Sequence, residues 1–280
     1  MRLHSLHCLG PHGFHRVAYT EWGRPDQLHV VICVHGLTRT GRDFDFVAQA
    51  LAPQCRVLCP DVVGRGLSDW LSHADDYGYP LYVSDMAALI ARTGAEQVDW
   101  VGTSMGGLIG MMLAAQPKSP IRRLVVNDVG PLIPRASLER IGKHVGKAPA
   151  FPDIEAFEQY LRQVAAPFGP LTDEQWRHLA MHSCRRCDDG TVTAGYDPAI
   201  AKPFAGELND VVLWPLWDAI SCPTLLLRGE QSDLLLSDTA YEMTQRGPRA
   251  RLVQFEGIGH APILMADDQL AVVREFLLRE

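Results

Sequence analysis

The chain has 280 residues, 47% of them hydrophobic and 21% charged, with a net charge of −7 at pH 7. Such a composition is ordinary for a globular protein and excludes extended disorder, collagen-like repeats and fibrous coiled coils, all of which need a stronger bias. Lys and Arg total 26 and never cluster beyond pairs such as Arg122-Arg123 and Arg185-Arg186, so neither nucleic-acid binding nor a polybasic hold on an anionic membrane is expected. The N-terminus has no apolar core of signal-peptide length, and the apolar segment Leu108 to Ala115 is too short to span a bilayer. A cytoplasmic protein follows as the expectation. Seven scattered cysteines in a long chain read as reduced thiols. Cys184-Arg-Arg-Cys187 has only His178 and His182 nearby as further ligands, so it reads as a polar turn and no metal site is expected.

In chain order, Val30–Val34 is an unbroken apolar run, the pattern of a strand buried on both faces of a parallel sheet. Phe44, Val47, Ala48 and Leu51 then fall at helical spacing. A short strand, Arg56–Cys59, stops at Pro60; a helix follows over Tyr82–Ala91, then a strand over Val98–Val101. Met105–Gln116 reads as a helix ending before Pro117, and Ile121–Asn127 as another strand. This alternation predicts βαβ units and a mostly parallel sheet. The rhythm changes at Gly130-Pro131. From 131 to 215 no strong strand pattern appears, while Ile154, Phe157, Leu161 and Val164 share one helical face and Thr172-Asp-Glu-Gln175 is a capping-box start. The βα pattern resumes with a strand at Thr224–Arg228, a helix over Asp238–Gln245, a strand at Leu252–Phe255 and a terminal helix from about Ala261. Residues 1–130 and 216–280 thus form an α/β core interrupted by a helical insertion, 131–215.

Gly102-Thr-Ser104-Met-Gly106 lies between a predicted strand and a predicted helix. In that setting glycines permit a turn too tight for neighbouring side chains, the serine Oγ is pushed clear of the backbone, and the helix N-terminus directs N–H groups at any anion formed there. The plainer alternative is a glycine-rich turn in which Ser104 only caps the helix. A serine nucleophile needs a base within hydrogen-bond reach, itself oriented by a third group. Of eleven histidines, His260 lies in the loop after the last strand, at the sheet edge that carries the serine turn. His35 follows an early strand at the same edge, whereas His4, His7, His12 and His15 precede the parallel sheet and read as surface or strand positions. Two acids follow strands at this edge: Asp233 after Thr224–Arg228 and Asp128 after Ile121–Asn127.

These segments together resemble the α/β-hydrolase-fold serine hydrolases. His35-Gly36-Leu37 is similar to the family's HGx loop, Asp61-Val-Val-Gly64-Arg-Gly66-Leu-Ser68 to its DxxGxGxS segment and Gly102–Gly106 to its nucleophile elbow, while Asp233 and His260 follow in the family's order of Ser, acid and His. The resemblance implies Ser104 as nucleophile, His260 as general base and then acid, and Asp233 as orienting acid. Asp128 is the alternative, because some members take the acid after the preceding strand. The backbone N–H groups of Leu37 and Met105 would form the oxyanion hole, with His35, Asp61, Gly64 and Gly66 shaping the loops beside it. The 131–215 insertion would be a helical cap.

A serine nucleophile excludes the haloalkane dehalogenases and epoxide hydrolases of similar sequence, which use an aspartate. It fits a carboxylesterase acting on small or medium esters. The alternatives are a C–C bond hydrolase of diketone-like aromatic breakdown products, whose members usually carry Asn where Thr103 stands, and a non-catalytic small-ligand binder. Phe151, Phe157, Tyr160, Phe168, Trp176, Trp214 and Trp217 are candidates for an apolar acyl site, and Arg39 and Arg42 for holding a substrate carboxylate. The implied partner is a small-molecule ester, and no cofactor is implied.

Overall fold

Two strands precede the parallel ones in the computed structural model, which describes residues 1–147 and 149–279. These are β1 (Arg2–Gly10) and β2 (Gly13–Trp22), an antiparallel hairpin closing at Gly10 and Gly13. The first strand is amphipathic with period two: His4, Leu6 and Cys8 turn inward while Leu3, Ser5, His7 and Leu9 face out. The chain continues through β3 (Val30–Val34), α1 (Asp45–Leu51), β4 (Arg56–Pro60), α2 (Tyr79–Thr93), β5 (Val98–Thr103), α3 (Met105–Ala114) and β6 (Ile121–Asn127). Helix α2 starts three residues earlier than the periodicity suggests, because Pro80 sits in its first turn, where no intrahelical donor is missed.

Residues 131–215 contain β7 (Leu132–Ile133), α4 (Arg135–Gly142), α5 (Ile154–Val164), α6 (Asp173–Ser183), β8 (Cys184–Arg186), β9 (Val192–Ala194) and β10 (Val211–Val212). The helices are joined by two small antiparallel pairs, β7 with β10 and β8 with β9, whose strands of two or three residues are too short to leave a periodic pattern in the sequence. Cys184 opens the second hairpin and Cys187 follows its first strand. Helix α6 begins with the expected capping box: Thr172 accepts from the Gln175 N–H while the Gln175 side chain accepts from the Thr172 N–H. The core then resumes with α7 (Trp214–Ala219), β11 (Thr224–Gly229), α8 (Ser237–Gln245), β12 (Arg251–Phe255) and α9 (Asp267–Leu278). Helix α9 starts six residues later than predicted; Asp267 and Asp268 occupy its first turn, where the helix dipole favours negative charge. The freed residues 256–266 form the long loop that carries His260.

Among the described residues the main sheet has eight strands in the order β1-β2-β4-β3-β5-β6-β11-β12, parallel from β4 to β12. Alternate residues of the inner strands feed two cores. Ile32, Val34, Trp100 and Val126 pack with α2 and α3 on one face; Val31, Cys33, Val101 and Val125 pack with α1 and α9 on the other. A third apolar cluster lies within 131–215, where Phe157 and Leu161 of α5 meet Trp176 and Leu179 of α6; Ile263 and Met265 of the His260 loop insert into it. The loop that carries His260 is therefore clamped between the core and the 131–215 segment.

Candidate active site

The turn from β5 into α3 is forced by its glycines. A Cβ on Gly102 would stand 2.2 Å from the Gly106 carbonyl oxygen, and one on Gly106 would stand 2.0 Å from that of Val34, so neither position admits another residue. Ser104 between them takes φ 51° and ψ −113°, outside the regions that non-glycine residues ordinarily occupy. Its N–H donates to the Asn127 carbonyl, which ties the turn to the end of β6.

The serine Oγ–H donates to His260 Nε2 at 3.0 Å. On the other side of the ring, Nδ1 lies 2.7 Å from Asp128 Oδ2; because a carboxylate only accepts, Nδ1 carries the proton and Nε2 is the free base. Asp128 is wholly buried. Its Oδ1 accepts the Gly229 N–H at 2.9 Å and its Oδ2 the Ser232 hydroxyl at 2.6 Å. These donors offset the cost of keeping a carboxylate away from water. Asp233, expected to orient His260, does not reach it. Its side chain is 53% exposed and pairs with Arg140 of α4 at 2.8 Å. The reason is local: Ser232 turns inward to Asp128, so the next side chain on this loop points outward. The β11 loop thus supplies hydrogen-bond donors to Asp128 and no carboxylate to His260.

The loop after β3 lies against the serine, with a Cβ on Gly36 falling 3.8 Å from that of Ser104. His35 shapes this loop. Its Nδ1–H donates to the Gly36 carbonyl at 2.7 Å and its Nε2 accepts the Val62 N–H at 2.9 Å, which requires the neutral ring; burial correspondingly holds its pKa down to about 4. Asp61 pins the neighbouring turn by accepting the N–H groups of Gly41 and Leu67, and burial raises its pKa to about 6 against the effect of those two bonds.

Arg65 stands in the sequence as one residue of a glycine-rich turn, with no local signal of a further role, yet it is fully buried and lies beneath both loops. Its Nε–H donates to the Leu37 carbonyl at 2.8 Å, and one terminal nitrogen donates to the Val63 carbonyl at 2.7 Å and the Tyr82 hydroxyl at 3.0 Å. The other terminal nitrogen lies 3.7 Å from Met105 Sδ. The guanidinium carbon sits 5.0 Å from the Tyr82 ring centroid and 6.0 Å from that of Tyr77, and no carboxylate pairs with Arg65 among the described residues. A buried cation therefore touches Leu37 of the loop beside the serine and Met105, the residue that follows it.

Ser104 and His260 open into a cavity of about 160 Å³ lined by Leu37, Ile141, Val145, Phe168 and Ile263. Thr38, Arg39, Ile141 and Val145 are shared with a second chamber of about 520 Å³, within the range of small-molecule sites. Of the aromatic candidates, Phe151, Phe157 and Tyr160 line the chamber and Phe168 the cavity. Trp176 is buried between α5 and α6, Trp217 donates to the Arg246 carbonyl, and Trp214 stacks under Arg246; these three pack the structure together. Arg39 does line the site, but Asp43 holds its guanidinium with bonds of 2.8 and 2.6 Å. Arg42 is bound to Asp45 at 2.7 Å and lines neither space.

Three groups of potential metal ligands occur among the described residues, none containing a residue of the serine site. In two of them a histidine bonds the acid directly, His15 to Asp85 at 2.8 Å and His12 to Asp76 at 2.7 Å. In the third, Arg42 lies between Asp45 and His182.

Known proteins share this geometry's setting. Residues 29–267 match the family model of the alpha/beta hydrolase fold. The chain is 47% identical over 284 residues to the 3-hydroxybutyrate-oligomer hydrolase of Cupriavidus necator, covering 98% of this chain and 97% of that protein. It is 31% identical over 244 residues to an esterase of Mycobacterium tuberculosis, covering 82% and 76% of the two chains. The crystal structure of an alpha/beta hydrolase from Novosphingobium aromaticivorans superposes with a TM-score of 0.88 at 36% identity, over 98% of each chain.

Proposed function

Since the chain belongs to the α/β-hydrolase fold family, we propose that it hydrolyses carboxylic esters through an acyl-enzyme, with Ser104 as nucleophile, His260 as base and Asp128 as the acid that orients it. The observation that carries this reading is the continuous hydrogen-bonded chain from Ser104 Oγ through the His260 ring to a buried carboxylate. His260 takes the hydroxyl proton as Ser104 Oγ attacks the ester carbonyl, and Asp128 stabilises the imidazolium so formed. The backbone N–H groups of Leu37 and Met105 receive the oxyanion; each such donor is typically worth about 2.7–4 kcal/mol in rate. The proton on His260 Nε2 then passes to the departing alcohol. Water, deprotonated by the same ring, releases the acid and restores the serine. A protein that only bound ligands would have no use for this chain of bonds.

The 131–215 segment acts as the cap and forms most of the chamber wall. The likeness to a hydrolase of 3-hydroxybutyrate oligomers, extending over nearly the full length of both chains, supports short linear oligoesters of hydroxy acids as the substrate class. Hydrolysis of linear 3-hydroxybutyrate dimer and trimer and of p-nitrophenyl butyrate, by the native chain and by Ser104→Ala, tests the reading. The expected loss of kcat in the variant is about 10⁵-fold or more, as when a serine nucleophile is removed elsewhere. Activity surviving in Ser104→Ala refutes the assignment.

A further inference from the structure

The chamber behind the serine cavity has a one-sided charge. Its wall carries Arg39, Arg140, His144 and Lys147 and, among the described residues, no carboxylate, although the chain as a whole is negative. Two of the three arginine and lysine cations are offset by acids standing outside that wall, Arg39 by Asp43 and Arg140 by Asp233. Lys147 and His144 make no ion pair among the described residues. Both lie exposed on the chain just beyond α4, whereas deeper in the chamber the wall is apolar, with Val145, Phe157 and Leu161 all buried. The chamber that shares Thr38, Arg39, Ile141 and Val145 with the Ser104 cavity therefore carries an uncompensated positive charge, Lys147, at its exposed rim.

Resting on the ester-hydrolase reading above, we infer that this rim is an anion subsite for the free carboxylate of a linear hydroxy-acid oligoester, with Lys147 as its main anchor. A linear oligoester is uncharged along its length and carries one carboxylate, on its last unit. The apolar wall suits the chain and the rim suits its end. Lys147 is preferred to Arg39 because both donor edges of Arg39 that face Asp43 are already in use. Cleavage of one ester bond consumes one water, leaves the original carboxylate on the alcohol fragment and creates a second on the acyl fragment. Short hydroxy acids released by the reaction are then competitive inhibitors through the same subsite.

The test separates the subsite from the chemistry. In Ser104→Ala protein, calorimetry of linear 3-hydroxybutyrate trimer against its methyl ester is expected to show about fivefold tighter binding of the acid, the upper range for an exposed ion pair. Adding Lys147→Met should abolish that preference and Lys147→Arg should restore most of it. In the otherwise native chain, Lys147→Met should raise KM for the trimer about fivefold relative to KM for the methyl ester. Equal binding of acid and methyl ester, or a preference that survives Lys147→Met, overturns the subsite. Preferential binding without turnover of either compound by the native chain would leave the subsite standing and count against the ester-hydrolase reading alone.

Discussion

The sheet edge and the 131–215 wall face each other across one cleft and are held in different ways. At the edge, the polar side chains around Ser104 and His260 are tied into the buried interior. Asp128 accepts from a backbone N–H, a hydroxyl and a ring N–H, His35 bridges two loops, and Arg65 binds two carbonyls from full burial. Across the cleft, Phe151, Phe157 and Tyr160 stand with ring centroids 5.0–6.5 Å apart in an apolar cluster without directional bonds, and Lys147 and His144 lie exposed. Bond-making tolerates errors of only a fraction of an ångström, and strand ends supply that precision. In the proposed function, substrate choice tolerates more play and falls to the looser side.

This contrast breaks most readily at the acid. Asp128→Asn is expected to lower kcat about 10⁴-fold, because an amide stabilises the wrong ring tautomer and no imidazolium. Asp233→Asn, on the exposed loop, should change kcat by less than about threefold. Steady-state kinetics on a single ester decide it, and the opposite ranking would restore Asp233 as the orienting acid.

Arg65 sharpens the comparison from beneath the site. Arg65→Met keeps the bulk but loses the bonds to the Leu37 and Val63 carbonyls, leaving buried acceptors unpaired. The expected cost is about 10²-fold in kcat with a smaller change in KM, the signature of a displaced oxyanion donor. A variant that melts earlier yet turns over at the native kcat would show that Arg65 supports the fold and not the loop geometry.

A last effect is on stability and not on turnover, through His35. Its folded-state pKa, about 4, lies below the ordinary value of 6.5, so its neutral form contributes stability in full above about pH 6.5 and loses it as pH falls toward 4. The lowered pKa corresponds to about 3 kcal/mol. Urea midpoints of the native chain should fall across that window more steeply than those of His35→Gln. Parallel pH profiles would assign the acid sensitivity to other groups.

Features carried by short stretches of chain are legible in the amino-acid sequence alone. The apolar strand runs, the glycines around Ser104 and the capping box at Thr172 each follow from sterics or hydrogen bonding among neighbours, and together they specify a βα sheet with a serine turn at its edge. The β1–β2 hairpin is equally local, but its period-two pattern is blurred by histidines on both faces, His4 inward and His7 outward, so the strands do not stand out as apolar runs do. The acid is another matter. Asp128 and Asp233 both follow parallel strands and both stand between Ser104 and His260, so chain order cannot separate them. That choice depends on Ser232 turning inward and Asp233 outward, which only the packing of β6, β11 and the His260 loop decides. Likewise, whether a cation is free to meet a substrate depends on what pairs with it: Asp43 claims Arg39, tyrosines from a distant helix and loop enclose Arg65, and Lys147 lies where the folded chain brings the turn after α4 to the mouth of the chamber.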